Sequence, residues 1–117
     1  MRRMTASAEW RCAAADLGPG RTLKFRLECG GRRLNGFVLN HDGEVRAFVN
    51  RCPHVGTPLD LWPNEFYTED GRDLICSTHG AIFEPLTGRC TIGPCAGDAL
   101  RPLPVRREGP DLVVTCP

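Results

Sequence analysis

The chain has 117 residues, enough for one domain with a modest core. Its 15 Lys and Arg nearly balance its 14 Asp and Glu, so bulk charge gives no reason to expect a nucleic-acid partner. The 13 Gly and 10 Pro predict many turns and little helix. No segment has the apolar length that crosses a membrane, and no apolar region follows Arg2 and Arg3. We therefore expect a soluble, cytoplasmic protein without a membrane or nucleic-acid partner.

The predicted elements are nearly all strands. Apolar and polar side chains alternate clearly over 22–28, which predicts a half-buried strand. Asp42-Gly43 predicts a hairpin turn, because this pair readily supplies positive φ. Glu108-Gly109-Pro110 predicts a second turn between two pairing strands. The full set of predicted strands is 9–14, 22–28, 33–40, 44–50, 73–76, 103–107 and 111–116.

A connecting loop is predicted over 57–72, where no regular pattern of apolar residues is found. It carries three large aromatic side chains, Trp62, Phe66 and Tyr67. We expect them to cover the core, with a docking patch for a partner as the alternative.

Seven cysteines are present, so they cannot all pair with one another. Cys12, Cys29 and Cys116 lie singly in strand-like segments, where such cysteines usually act as small buried apolar residues. Cys90 and Cys95 are close enough in sequence for a disulfide, but a reducing compartment argues against one.

Two short cysteine–histidine pairs dominate the remaining sequence, Cys52-Pro53-His54 and Cys76-Ser77-Thr78-His79. Each pair combines a soft thiolate with an imidazole, and the four side chains suit zinc or iron–sulfur chemistry. Glycines and prolines around both pairs predict tight loops, and the predicted hairpin 33–50 leads directly into the first loop.

The pattern Cys-x-His followed by Cys-x-x-His resembles the ligand set of Rieske [2Fe–2S] proteins, in which two histidines replace two cysteines on one iron. The resemblance continues after the ligands and covers roughly residues 35–106. The segments that carry it are His79-Gly80-Ala81-Ile82-Phe83, Thr87-Gly88, Gly93-Pro94, Leu100 and Pro104-Val105.

This resemblance implies an all-β fold, with an antiparallel β-sandwich base and an inserted cluster-binding subdomain. The base would comprise about 8–50 and 98–117, and the cluster-binding part about 51–97. One [2Fe–2S] cluster would be held by Cys52 and Cys76 on one iron and by His54 and His79 on the other. The Gly93-Pro94 loop would close over the cluster.

The resemblance also bears on the reduction potential. High-potential Rieske proteins carry serine and tyrosine hydroxyls where this chain has Ala81 and Phe83, and cysteines where it has Thr57 and Thr78. Ala81 and Phe83 cannot donate hydrogen bonds to the cluster, so we expect a low potential.

The function implied is that of a ferredoxin, a one-electron carrier between a reductase and an oxygenase or similar acceptor, with no catalysis of its own. The one histidine outside the two pairs, His41, cannot supply a mononuclear iron site alone. Two alternatives remain: a Rieske-fold small subunit of a multi-subunit reductase resembling nitrite reductase, and a structural zinc module.

Overall fold

The fold is described from a computed structural model, which covers residues 7–53, 56–60, 65–77 and 80–117. These residues form ten strands and one short 3-10 helix, Ala14–Asp16. The strands are β1 Glu9–Ala13, β2 Thr22–Cys29, β3 Arg32–His41, β4 Glu44–Val49, β5 Leu74–Ile75, β6 Ile82–Phe83, β7 Cys90–Ile92, β8 Pro102–Leu103, β9 Val105–Glu108 and β10 Asp111–Thr115. The predicted all-β class is confirmed.

Three antiparallel sheets make up the described fold. The first has the strand order β1-β10-β9, the second β2-β3-β4-β8, and the third β5-β6-β7. The predicted hairpins are present: β3 pairs with β4 through Asp42-Gly43, where Asp42 has a φ of 53°, and β9 pairs with β10. The short strands β6, β7 and β8 and the helical turn were not predicted.

β3 is buried on both faces over 36–39, which explains its unbroken apolar run Phe37-Val38-Leu39. Successive side chains of a strand point to opposite faces. Val38 therefore packs into the core shared with the first sheet, whereas Phe37 and Leu39 pack into the core shared with the segment 52–100. The cluster-binding segment thus rests directly on a sheet that is itself supported from behind.

The described part of the loop 57–72 covers the core, as expected. Phe66 is fully buried, and its ring stacks on Phe37 with centroids 4.1 Å apart. Tyr67 packs against the same core and forms an isolated bridge with Leu74. The third aromatic residue, Trp62, lies outside the described residues.

One prediction about the cysteines was wrong. Cys29, at the end of β2, and Cys116, just after β10, are joined by a disulfide instead of serving as separate apolar residues. The bond links the second sheet to the first across 87 positions of sequence. Cys12 is half-buried and packs against the core between these sheets, as expected of a small apolar side chain.

The division into a base and a cluster-binding part stays a prediction, although the whole third sheet lies within 51–97. Across the described ranges, no helix is long and apolar enough to span a membrane.

Candidate metal centre

The first cysteine–histidine loop begins at Cys52, three residues after β4 ends. The Cys52 N–H donates to the Thr57 carbonyl at 2.7 Å, and the Gly56 N–H donates to the Cys52 carbonyl at 2.8 Å. Gly56 has a φ of 77°, a conformation that favours glycine. The loop is therefore closed by its own backbone, with the Cys52 side chain fully buried beneath it.

The second loop repeats this arrangement at the same offsets. The Cys76 N–H donates to the Ala81 carbonyl at 2.9 Å, and the Gly80 N–H donates to the Cys76 carbonyl at 2.7 Å. Gly80 has a φ of 72°, and Cys76 is fully buried in the same core as Cys52. Two loops of different sequence thus present their cysteines on equivalent frameworks.

Further hydrogen bonds connect the two loops to each other and to the second sheet. The Ser77 N–H donates to the Leu59 carbonyl, and the Leu59 N–H donates to the Asn50 side-chain oxygen, both at 2.9 Å. The Asn50 amide also donates to the buried Asp60 carboxylate at 2.9 Å. Asp60 in turn pairs with Lys24 of β2 at 2.9 Å. Sequence reasoning missed this network, because its members are far apart in the chain.

The Gly93-Pro94 loop lies against the end of the second loop. A Cβ on Gly93 would come within 3.0 Å of the Ala81 Cα, and the φ of Gly93 is 105°. Only glycine fits such a close backbone approach together with that conformation. The Gly-Pro segment is therefore packed onto the turn that follows the second pair.

A second pair of thiols lies beside Cys52. The Cys90 and Cys95 sulfurs are 2.6 Å apart and both side chains are buried, yet the two remain separate thiols, as the sequence analysis expects. Cys52 also acts on the Cys95 thiol, more weakly than Cys90 does. Burial, followed by the contact with Cys90, raises the pKa of Cys95 to about 12, so this thiol keeps its proton.

The structure places two of the four predicted ligands. Cys52 and Cys76 lie in one core, whereas His54, His79 and the neighbouring Thr78 lie outside the described residues. Within the described ranges, no three His, Cys, Asp or Glu side chains form a group that could hold a metal ion. The ligation of a metal by His54 and His79 therefore stays a prediction.

The described residues fit an iron–sulfur cluster in two respects. Two buried thiols from separate closed loops are the donors that an iron–sulfur cluster requires. Among the described residues, the buried Thr57 hydroxyl of the first ligand loop has no hydrogen-bond partner. A buried donor without an acceptor lowers the stability of the fold, unless an acceptor occupies the site.

Comparison with known proteins agrees with this geometry. The profile of the Rieske [2Fe–2S] domain family matches residues 8–114. An oxidoreductase of Pseudomonas putida, NdmD, is 43% identical over 60 residues, which is 51% of this chain but 9% of that protein. The chain therefore spans only a small part of that relative.

Two solved structures resemble the chain over most of its length. The ferredoxin of carbazole 1,9a-dioxygenase from Nocardioides aromaticivorans IC177 has a TM-score of 0.72 at 23% identity, covering 94% of this chain and 99% of that one. A second match is to a complex of reduced oxygenase and oxidized ferredoxin in carbazole 1,9a-dioxygenase. It has a TM-score of 0.70 at 25% identity, covering 92% of this chain and 93% of the matched one.

The chain belongs to the Rieske [2Fe–2S] domain family. Its cofactor is accordingly a Rieske-type [2Fe–2S] cluster, and the family identification made from the sequence is confirmed. The relatives of nearly equal length are ferredoxin components of oxygenase systems, in agreement with the expected electron carrier.

Proposed function

We propose that this chain is a Rieske-type ferredoxin that carries single electrons from a reductase to a terminal oxygenase or a similar acceptor. The observation that carries the proposal is the pair of equivalent ligand loops, which bring Cys52 and Cys76 into one core. Cys52 and Cys76 would bind one iron, and His54 and His79 the other. The cluster supplies one-electron chemistry, and the chain itself holds, orients and buries it.

The proposed carrier operates at a low reduction potential. Ala81 and Phe83 are both fully buried, and neither side chain has a hydroxyl that could donate to the cluster. Fewer donors stabilise the negative charge of the reduced cluster less well. Rieske clusters have midpoint potentials of about −150 to +300 mV. We expect the midpoint of this protein to lie near the lower end of that range. A midpoint well above 0 mV would contradict this part of the proposal.

An acidic surface supports docking of a basic partner near the cluster. Residues 51–84 contain six acidic and two basic residues, and of the acids only Asp60 is known to be buried and paired, with Lys24. Glu69, Asp70 and Asp73 border a shallow depression with Ile82 and Ile92. Ile92 is the exposed large apolar side chain of this depression. Charge would steer the partner, and the apolar residues would be buried on contact.

The test is low-temperature electron paramagnetic resonance of the dithionite-reduced protein. We expect a Rieske-type signal that is lost in His79→Ala but kept in the control His41→Ala, which removes the histidine outside both loops. Stoichiometric zinc with no iron and no signal would instead identify a structural module. A stable complex with one large reductase subunit would favour the subunit role over the carrier.

A cytoplasmic location is part of the same proposal. The Cys29–Cys116 disulfide provides its test, because cytosolic proteins rarely keep stable disulfides. Thiol trapping in intact cells should find this pair substantially reduced. A fully oxidised pair in cells would place the protein in an oxidising compartment.

A further inference from the structure

Cys90 and Cys95 are closer together than two non-bonded sulfurs can comfortably be. The two sulfur atoms are 2.6 Å apart. Non-bonded carbon atoms, which are smaller than sulfur, already have their optimal separation at about 3.5–4.0 Å. A disulfide needs about 2.03–2.05 Å, so roughly half an ångström of movement would complete the bond. Both side chains are almost fully buried, which leaves each thiol facing the other.

The backbone fixes this approach. The Cys90 N–H donates to the Asp98 carbonyl at 2.8 Å, and the Gly97 N–H donates to the Cys90 carbonyl at 3.3 Å. The Asp98 N–H donates to the Cys95 carbonyl at 2.8 Å. The turn therefore folds back onto β7 and holds Cys95 over Cys90 before any bond forms.

The pair adjoins the candidate metal centre. Cys90, Cys95, Cys52 and Cys76 share one core, and Cys52 is one of the groups that act on the Cys95 thiol. Between Cys90 and Cys95 lies the Gly93-Pro94 segment, whose Gly93 packs on Ala81. A covalent bond between the two cysteines would change what Cys52 contacts and would lock this segment.

We propose that Cys90 and Cys95 form a buried dithiol–disulfide couple, a second redox site that adjoins Cys52. The oxidant is a small disulfide. Its exchange with the pair forms the Cys90–Cys95 bond, breaks the bond of the small disulfide and releases two small thiols, which take up the two protons and two electrons of the pair. Reversible disulfides of this kind occur in the cytosol as transient or redox-sensing bonds.

The couple acts on the cluster through one hydrogen atom. In the dithiol form, Cys95 can donate its S–H to the Cys52 sulfur, and in the disulfide form that donor is gone. Hydrogen bonds to ligand sulfurs raise the reduction potential of an iron–sulfur cluster. Oxidation of the pair therefore lowers the midpoint potential. This coupling, unlike the couple itself, rests on the proposed ligation by Cys52.

Peptide mapping tests the couple directly. Trypsin cleaves after Arg89 and Arg106 but poorly at Arg101-Pro102, so the peptide 90–106 contains both cysteines and no other. The holoprotein is incubated with glutathione disulfide or with dithiothreitol, denatured in acid, alkylated and digested. We expect peptide 90–106 to be unalkylated and two hydrogen atoms lighter after glutathione disulfide, and doubly alkylated after dithiothreitol.

The chain contains its own controls. The Cys29–Cys116 disulfide reports whether the oxidising conditions suffice, and Cys12 reports on an isolated thiol that can gain glutathione but cannot form this link. Two free thiols in peptide 90–106, under conditions that reoxidise Cys29–Cys116, would overturn the proposal. Because the masses are read on peptides, this result does not depend on the cluster.

Redox titration followed by electron paramagnetic resonance tests the coupling. We expect a lower midpoint for the disulfide form than for the dithiol form. Cys90→Ala should keep the midpoint potential of the dithiol form, and Cys95→Ala should have the lower midpoint of the disulfide form. Glutathione disulfide should change neither midpoint. Cys95→Ser restores a donor, so its midpoint should lie above that of Cys95→Ala. Equal midpoints in the two forms, or a shift that persists in Cys95→Ala, would overturn the coupling. Absence of any cluster signal would instead count against the proposed function.

Discussion

Gly80 closes the second ligand loop with a φ of 72°, and nothing lies within 4 Å of where its Cβ would be. Gly80→Ala should therefore lower the unfolding free energy by about 1–2 kcal/mol, through backbone strain alone. Strain at this position also shifts the turn that delivers the second pair, so we expect a clear loss of iron per chain, measured by metal analysis.

Gly71 offers a matched control, because it has the same φ of 72° and equally open surroundings. Gly71→Ala should lower the unfolding free energy by a similar amount, measured by denaturant titration, while iron content stays normal. Equal iron content in the two variants would show that the loop tolerates the distortion.

The Thr57 hydroxyl supports a second prediction, since it is buried and no other residue that the structure describes gives it a hydrogen bond. Thr57→Val keeps the shape and removes this donor. The apoprotein should gain about 1 kcal/mol of stability, because an unsatisfied buried group is lost. The holoprotein should show a lower midpoint potential, because a donor to the cluster is lost.

Thr57→Ser is the control, since it keeps a hydroxyl and should keep the potential. The two readouts are denaturant unfolding of the apoprotein and redox titration of the holoprotein. If neither quantity changes in Thr57→Val, the argument that the Thr57 hydroxyl donates to a cluster acceptor fails.

At the scale of single residues, the sequence predicts which cysteines are ligands but not which side chains contact them. The spacing of Cys52 and Cys76 relative to histidines is a local pattern, so it is readable without a fold. The contact of Cys95 with Cys52 arises only when a distant turn packs against the first loop. No local spacing carries that information.

At the scale of the elements, Asn50 connects the end of β4 with the segment that follows the first ligand loop. Its side chain accepts from the Leu59 N–H and donates to Asp60, so it fixes the segment that follows the first pair. Asn50→Ala leaves the buried Leu59 N–H without this acceptor, which should cost about 1–3 kcal/mol of unfolding free energy.

Asn50→Ala should also accelerate loss of the cluster, followed as the decay of its visible absorbance on warming. Asn35→Ala is the control: Asn35 is exposed on β3, and its substitution should change neither quantity appreciably. Equal decay rates in the two variants would show that the Asn50 network does not support the loop.

Strand prediction was most accurate for the long strands with a full alternating pattern. The eight residues of β2 show a full alternating pattern, and its predicted range differs from the observed one by a single residue. The strands β7 and β8 have three and two residues, too few for any period to show. Their pairing is decided by the sheets they join, which the local sequence does not encode.

Over the whole molecule, the Cys29–Cys116 disulfide should contribute a large share of stability. It joins residues 87 positions apart, and closing a loop of that length lowers the conformational entropy of the unfolded chain by an amount equivalent to about 4.6 kcal/mol. We expect Cys29→Ser/Cys116→Ser to lose stability of that order in denaturant titrations. The cluster spectrum should be unchanged, because the bond lies in the other core.

Cys12→Ser serves as the control, since Cys12 packs in the same core as an unbonded thiol. Its loss should be much smaller than that of the double variant. A changed cluster spectrum in the double variant would mean that the two cores are mechanically linked. The pairing itself could not be predicted, because an odd number of cysteines leaves many partners open.

The equivalent backbone hydrogen bonds of the two ligand loops bear on how fast electrons can pass. Electron transfer slows when many atoms must shift as the charge changes. Groups already fixed in place need little such reorganisation. Because Cys52 and Cys76 each lie in a loop closed by its own N–H···O bonds, the surroundings of the cluster should move little between oxidation states. The fold would then favour rapid exchange of single electrons in both directions.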